Sequence, residues 1–95
     1  MWNIELTELA KKNIKALDKQ VQRKIIEFLH QVEASENPRS TGHVLKESRM
    51  GQYWSYKVMK DYRVIARIQD QEVTVIVVSV GNRKNGYNHL DRYFR

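Results

Sequence analysis

The spacing of apolar residues changes period twice along the chain. Trp2, Ile4 and Leu6 alternate with Asn3 and Glu5, which predicts a short strand over Met1–Leu6. Thr7 is a good helix N-cap, and Glu8 suits the positive end of a helix dipole. Ala10, Ile14 and Leu17 then fall at helical spacing. Asp18 is a second N-cap candidate, and Val21, Ile25, Phe28 or Leu29, and Val32 share one face of a longer helix. Two helices that meet within a residue or two form an antiparallel αα-hairpin. Ser35–Gly51 breaks the pattern with Pro38, Gly42 and several Ser, Asn and Thr residues. It reads as an ordered loop, docked on the core through Val44 and Leu45.

The period then becomes two. Tyr53–Val58 sets Trp54, Tyr56 and Val58 against Tyr53, Ser55 and Lys57. Tyr62–Ile68 sets Tyr62, Val64, Ala66 and Ile68 against Arg63, Ile65 and Arg67. Val73–Val80 is apolar throughout from Val75 to Val78, as expected of a central strand covered on both faces. Turns at Met59–Asp61 and Asp70–Gln71 link the three into an antiparallel meander. Asn88–Arg95, with Leu90, Tyr93 and Phe94, predicts a short closing helix. The expected architecture is α+β: an N-terminal strand and αα-hairpin packed on an antiparallel sheet, with residues 1–95 as one domain.

Composition adds constraints. Ninety-five residues with 41% hydrophobic content suit one modest core. The sequence has no apolar run long enough for a spanning helix and no signal-peptide pattern. It has no cysteine, which excludes disulfides and thiolate zinc sites and fits the cytoplasm. His30, His43 and His89 are too scattered for metal ligation, so no metal or cofactor is expected, and His43 reads as a surface residue.

Charge changes the picture most. The net charge is +6, yet residues 1–38 carry six basic and six acidic groups and sum to zero. Residues 39–63 carry +4 and residues 81–95 carry +3, so the excess lies in two segments that flank the strands. A patch of this kind invites an anionic partner. The alternation also fixes a register, because a slip by one residue exposes the apolar face. A turn at Met59–Asp61 pairs Val58 with Tyr62 and Tyr56 with Val64, and it sets Lys57 opposite Arg63. Like charges so placed destabilise a sheet by about 0.2–1 kcal/mol, which an anion between them would relieve. With Asp70–Gln71 as the next turn, Arg63 pairs near Val78, and Arg83 emerges at the same end of the sheet beside Tyr87.

Such a cluster suits RNA cleavage, which needs a base for the 2′-hydroxyl, fixed positive charge at the phosphate and an acid for the 5′-oxygen. Lys57 is the candidate base, and Arg63 and Arg83 are candidate phosphate clamps. Tyr87, Tyr53 or Tyr56 could stack a base or relay a proton, although Tyr56 shares the Trp54 face and reads first as core. Lys84, Lys46, Arg49 and Tyr53 are the candidate substrate-binding residues.

The order of these segments resembles the RelE/ParE superfamily of toxins from type II toxin–antitoxin systems over nearly the whole chain. The resemblance runs through IELTELAKKNIKAL, LDKQVQRKIIEFL, VLKESRMGQYWSYKV and DYRVIARIQDQEVTVIVVSVG, and ends at NRKNGY. Its most specific parts are the Tyr62–Arg63 pair and the ending from Gly81 to Tyr87. Retention of Lys57, Arg63, Arg83 and Tyr87 resembles the RelE-like branch. That branch implies ribosome-dependent, metal-independent cleavage of mRNA by 2′-hydroxyl attack, leaving a 2′,3′-cyclic phosphate. It also implies a cognate antitoxin that blocks the basic site, and contact with operator DNA only through the toxin–antitoxin complex. The ParE-like branch implies instead a gyrase inhibitor without nuclease activity, and a module that only pairs with an antitoxin is a third reading. The chain departs from the RelE-like pattern twice. Ser55 stands where some relatives have a second lysine, and Asn82 where many have a histidine that could act as general acid.

Overall fold

A computed structural model describes residues 1–48 and 51–82. In chain order the elements are β1 (Asn3–Leu6), α1 (Glu8–Lys15), α2 (Lys19–Ala34), β2 (His43–Ser48), β3 (Gly51–Val58), β4 (Tyr62–Gln69) and β5 (Thr74–Asn82). The strands form one sheet in the order β1-β5-β4-β3-β2. The expected meander is β3-β4-β5, with antiparallel pairing throughout. β1 joins its far edge parallel to β5, with Asn3 opposite Thr74 and Leu6 opposite Val77. The fold is therefore α+β, as expected from the sequence. The expected helix over Asn88–Arg95 lies outside the described residues.

Both helices rest on one face of the sheet. Ala10, Val21, Ile25 and Val32 are buried against Tyr56, Val58, Val64, Ala66, Ile68, Val75, Val77 and Val80. Trp2, Ile4, Leu6, Phe28 and Leu29 pack around this cluster. Each fully buried aliphatic side chain here contributes about 1.5–3 kcal/mol relative to exposure. The turn between the helices is closed by α2 itself, since Gln22 Nε2 donates to Ile14 O at 2.8 Å and to Lys15 O at 3.3 Å. Thr7 caps α1 by accepting from the Ala10 N–H. Asp18 precedes α2 but makes no side-chain capping bond.

β5 runs beyond the end of β1, and α1 seals the exposed stretch. Thr7 Oγ1 donates to Val78 O at 2.7 Å, and the Val80 N–H donates to Asn13 Oδ1 at 3.0 Å. Backbone groups that would otherwise be buried without partners are thereby satisfied. Residues Val77, Val78, Ser79 and Val80 in succession are no more than 2% exposed, as expected of a strand covered on both faces.

Two expectations about the chain path are corrected. The stretch read as a loop over Ser35–Gly51 contains β2, which pairs antiparallel with β3 through an irregularity between Val44 and Lys46. That irregularity shifts the side-chain alternation, so β2 carries no clean period of two. The second correction concerns the β4–β5 register. Arg63 pairs with Gly81, not Val78. The turn spans four residues, 70–73, because Val73 takes a left-handed φ of 50° and β5 begins at Thr74. A further residue is absorbed by a bulge, since Ile65 pairs with Ser79 while Ala66 pairs with Val77. Val78 is the extra residue.

Candidate functional site

The face of the sheet opposite the helices is built from the odd-numbered positions of β3 and β4. Pairing across the strands sets Tyr53 beside Arg67, Ser55 beside Ile65 and Lys57 beside Arg63. On β5 the rows continue with Ile76, Ser79 and Gly81. On β2, His43 lies directly opposite Ser55. Directly opposite residues point to the same side of a sheet, as do residues two apart on one strand. His43, Ser55, Lys57 and Arg63 therefore share this face.

The predicted Lys57–Arg63 juxtaposition is present. Lys57 is exposed and Arg63 is half-buried. Neither has a carboxylate partner among the described residues, whose ion pairs are Lys11–Glu8, Lys24–Glu27, His30–Glu33 and Arg39–Asp70. Arg63 Nη1 donates to the Tyr62 carbonyl at 3.3 Å, and its Nε has no partner among the described residues. Arg67 Nε, Ser55 Oγ and Ser79 Oγ, on the same face, are also buried without partners.

A cavity of about 490 Å3 opens at the end of this row. β2 begins only at His43, so β3 is uncovered beyond Ser55 on that side. Residues 37–42 curve round the gap. Asn37, Pro38, Ser40, Thr41 and Gly42 form one wall, and Phe28, Val32 and Tyr56 line the helix side. His43, Lys57 and Arg63 line it as well. The volume falls within the range of small-ligand sites, about 300–1,000 Å3.

Two β3 side chains hold the wall in place. Trp54 Nε1 donates to Thr41 O at 2.7 Å, and the Tyr56 hydroxyl donates to Pro38 O. Tyr56 is 1% exposed and packs at 5.0 Å on the Phe28 ring, so its role is packing and anchorage. Burial pushes its phenol up to about 12, with the Arg39 charge acting in the opposite sense. Gly42 approaches β3 closely with a φ of 79°. Arg39 reaches from the same loop to Asp70 through two bonds of 2.8 and 2.9 Å, and its guanidinium lies over Trp54. The bond from Arg39 holds the Asp70 carboxyl below the usual carboxylate range.

The other expected site residues are distributed as follows. Arg83, Lys84 and Tyr87 lie outside the described residues, as does Arg49. Lys46 lies on β2, with its backbone opposite Tyr53. Tyr53 is buried to 5% exposure on the Lys57 face, so its ring packs inside the protein. His43, set aside in the sequence as a surface residue, is exposed and lines the cavity with the two cations. The irregular pairing of β2 hid it, because no alternation marked His43 as a strand residue. Among the described residues no three His, Cys, Asp or Glu side chains group to hold a metal ion. No helix among them is long and apolar enough to cross a membrane.

The family model for the ParE toxin of type II toxin–antitoxin systems matches residues 4–87. No curated protein sequence matches the chain. Among solved structures, a mutant form of the Escherichia coli toxin RelE in the free state aligns with a TM-score of 0.76 at 24% identity, covering 99% of this chain and 98% of that one. The toxin–antitoxin complex RelBE2 from Mycobacterium tuberculosis aligns with a TM-score of 0.72 at 22% identity, covering 86% of this chain and 91% of that chain. The archaeal RelE–RelB complex from Pyrococcus horikoshii gives 0.70 at 19% identity, covering 86% and 94%. At these identities the likeness is one of fold.

Proposed function

From the premise that this chain belongs to the ParE toxin family, and is a toxin of a type II toxin–antitoxin system within the RelE/ParE superfamily, we propose that it is a ribosome-dependent endoribonuclease. The observation that carries this reading is the Lys57–Arg63 pair, two cations directly opposed with no acidic partner among the described residues. A phosphate between them removes the like-charge penalty and supplies the missing acceptor for Arg63 Nε. Gly81 pairs with Arg63, and Arg83 follows two residues later in the chain, so Arg83 is assigned to the same phosphate. In its amine form Lys57 takes the 2′-hydroxyl proton, while Arg63 and Arg83 hold the crowded phosphate and Tyr87 stacks on a neighbouring base. Lys84, Lys46 and Arg49 are assigned to contacts with the RNA backbone.

The partners follow from this chemistry. An acidic stretch of a cognate antitoxin competes with RNA for the basic face, and the antitoxin supplies the contacts to operator DNA. Messenger RNA and the ribosomal A site are encountered in the cytoplasm.

One observation favours a second reading, inhibition of DNA gyrase: the matching family model is that of ParE toxins. Induction in cells, followed by mapping of mRNA 5′ ends, separates the two. Cuts inside translated codons that disappear in Arg63→Ala and Arg83→Ala support the nuclease. Intact messages together with a DNA-damage response refute it and leave the gyrase reading.

A further inference from the structure

The nuclease reading leaves one role vacant. The departing 5′-oxygen needs a proton, and the base and the two phosphate-holding arginines named above do not supply it. The fold brings an imidazole to the phosphate. His43 opens β2 directly opposite Ser55, and Lys57 lies two residues beyond Ser55 on the same strand and face. His43 and Lys57 are thus diagonal neighbours across an antiparallel pair, which sets them about 7–8 Å apart along the sheet. Arg63 lies directly opposite Lys57 on the other side. All three side chains line the same cavity. His43 is exposed, and no described carboxylate pairs with it. Between these groups lies Ser55, fully buried, with an Oγ that has no partner among the described residues.

We propose that His43 is the general acid of the cleavage reaction, a role resting on the nuclease reading above. A phosphate held over the Lys57–Arg63 pair stands one diagonal step from His43, with the attacking 2′-oxygen toward Lys57 and the departing 5′-oxygen toward His43. The 2′-oxygen bonds to phosphorus as its proton passes to the Lys57 amine. The phosphorus–O5′ bond breaks, and the electron pair leaves on O5′. His43 donates a ring proton to that oxygen. The products are a 2′,3′-cyclic phosphate and a free 5′-hydroxyl, with one proton moved from substrate to Lys57 and one from His43 to product.

The test uses the purified full chain on programmed ribosomes, under single turnover, with two messages. One carries the natural oxygen at the scissile 5′ position. The other carries a bridging sulfur there, which leaves as a thiolate without needing a proton. Loss of a general acid slows cleavage by about 10²–10⁴-fold. His43→Gln should show that loss on the oxygen message and cleave the sulfur message within about threefold of the parent protein. A variant as slow on sulfur as on oxygen would assign His43 to substrate positioning and overturn the proposal. A variant as fast as the parent on oxygen would overturn it too while leaving the nuclease reading intact. A parent protein that cleaves neither message would remove both.

Discussion

Replacing Gly42 with alanine should destabilise the protein by about 3 kcal/mol and pull the cavity wall away from β3. A Cβ at this position would meet Ser55 O at 2.4 Å, Trp54 Nε1 at 2.6 Å and Tyr56 Cδ1 at 2.9 Å. The first of these is backbone in the body of a paired strand and cannot step aside. The φ of 79° adds about 1–2 kcal/mol for any residue with a Cβ. The loop must therefore lift. Lifting it strains or breaks the bonds from Trp54 Nε1 to Thr41 O and from the Tyr56 hydroxyl to Pro38 O. Each contributes about 0.5–1.5 kcal/mol, and more if the buried phenol is left without a partner. Equilibrium urea unfolding measures the sum. With a slope of about 1–3 kcal/mol/M for a small protein, the midpoint should fall by about 1–3 M while the slope stays constant. Thr41→Ala is the control, since only its main-chain oxygen takes part, and it should stay within about 0.5 kcal/mol of the parent. A Gly42→Ala midpoint within about 0.2 M of the parent would refute the close-approach argument.

Three further outcomes follow from individual contacts. Val73 is β-branched, half in solvent and held at a φ of 50°, so Val73→Gly should relieve about 1 kcal/mol of strain and raise the melting temperature by about 4–8 °C; a fall would show that the turn needs the side chain. Asn13→Ala removes the acceptor for the Val80 N–H and should cost about 1–3 kcal/mol, with faster hydrogen exchange at that amide as the local signature. Tyr56 stays protonated in the folded state up to about 12 while the unfolded chain ionises near 10, so its contribution is complete below about pH 10 and is lost as pH rises through 12. Tyr56→Phe should therefore flatten the alkaline fall in stability, and an unchanged alkaline slope would place the titration elsewhere.

The reach of the sequence differed sharply between neighbouring strands. β3 and β4 alternate cleanly, their turn is short, and a slip would have buried Lys57, so the Lys57–Arg63 pairing could be read directly. The β4–β5 register could not. Val75–Val78 is apolar on both faces, so no alternation distinguishes one register from another three residues away. Val73 in a left-handed turn and Val78 in a bulge are both choices that local propensity opposes. They are fixed by tertiary contacts: Asn3 N–H donates to Val73 O, and Thr7 Oγ1 donates to Val78 O. β2 was hidden for a related reason, since Pro38 and Gly42 announce a loop and the irregularity after Val44 erases the alternation. The cavity and the place of His43 in it depend on that strand, so neither could be inferred without it.

β3 shows why this site can tolerate opposed charges. One side of the strand carries Trp54, Tyr56 and Val58, which pack with the helices and hold the loop through two bonds to main-chain oxygens. The other side carries Tyr53, Ser55 and Lys57. A period of two thus sends alternate residues of one backbone to opposite faces, the anchoring side chains to one and Lys57 to the other. The repulsion between Lys57 and Arg63, about 0.2–1 kcal/mol, is small beside the burial of Tyr56 and Val58. The strand therefore keeps its register with the site empty. The same rigidity fixes His43, because Gly42 before it is held against Ser55 O and His43 itself is paired opposite Ser55. An imidazole on a free loop would sample many positions relative to Lys57. Here the loop, the cavity wall and the two cations share one strand as their reference, and a change that loosens Trp54 or Tyr56 should lower activity before it unfolds the chain.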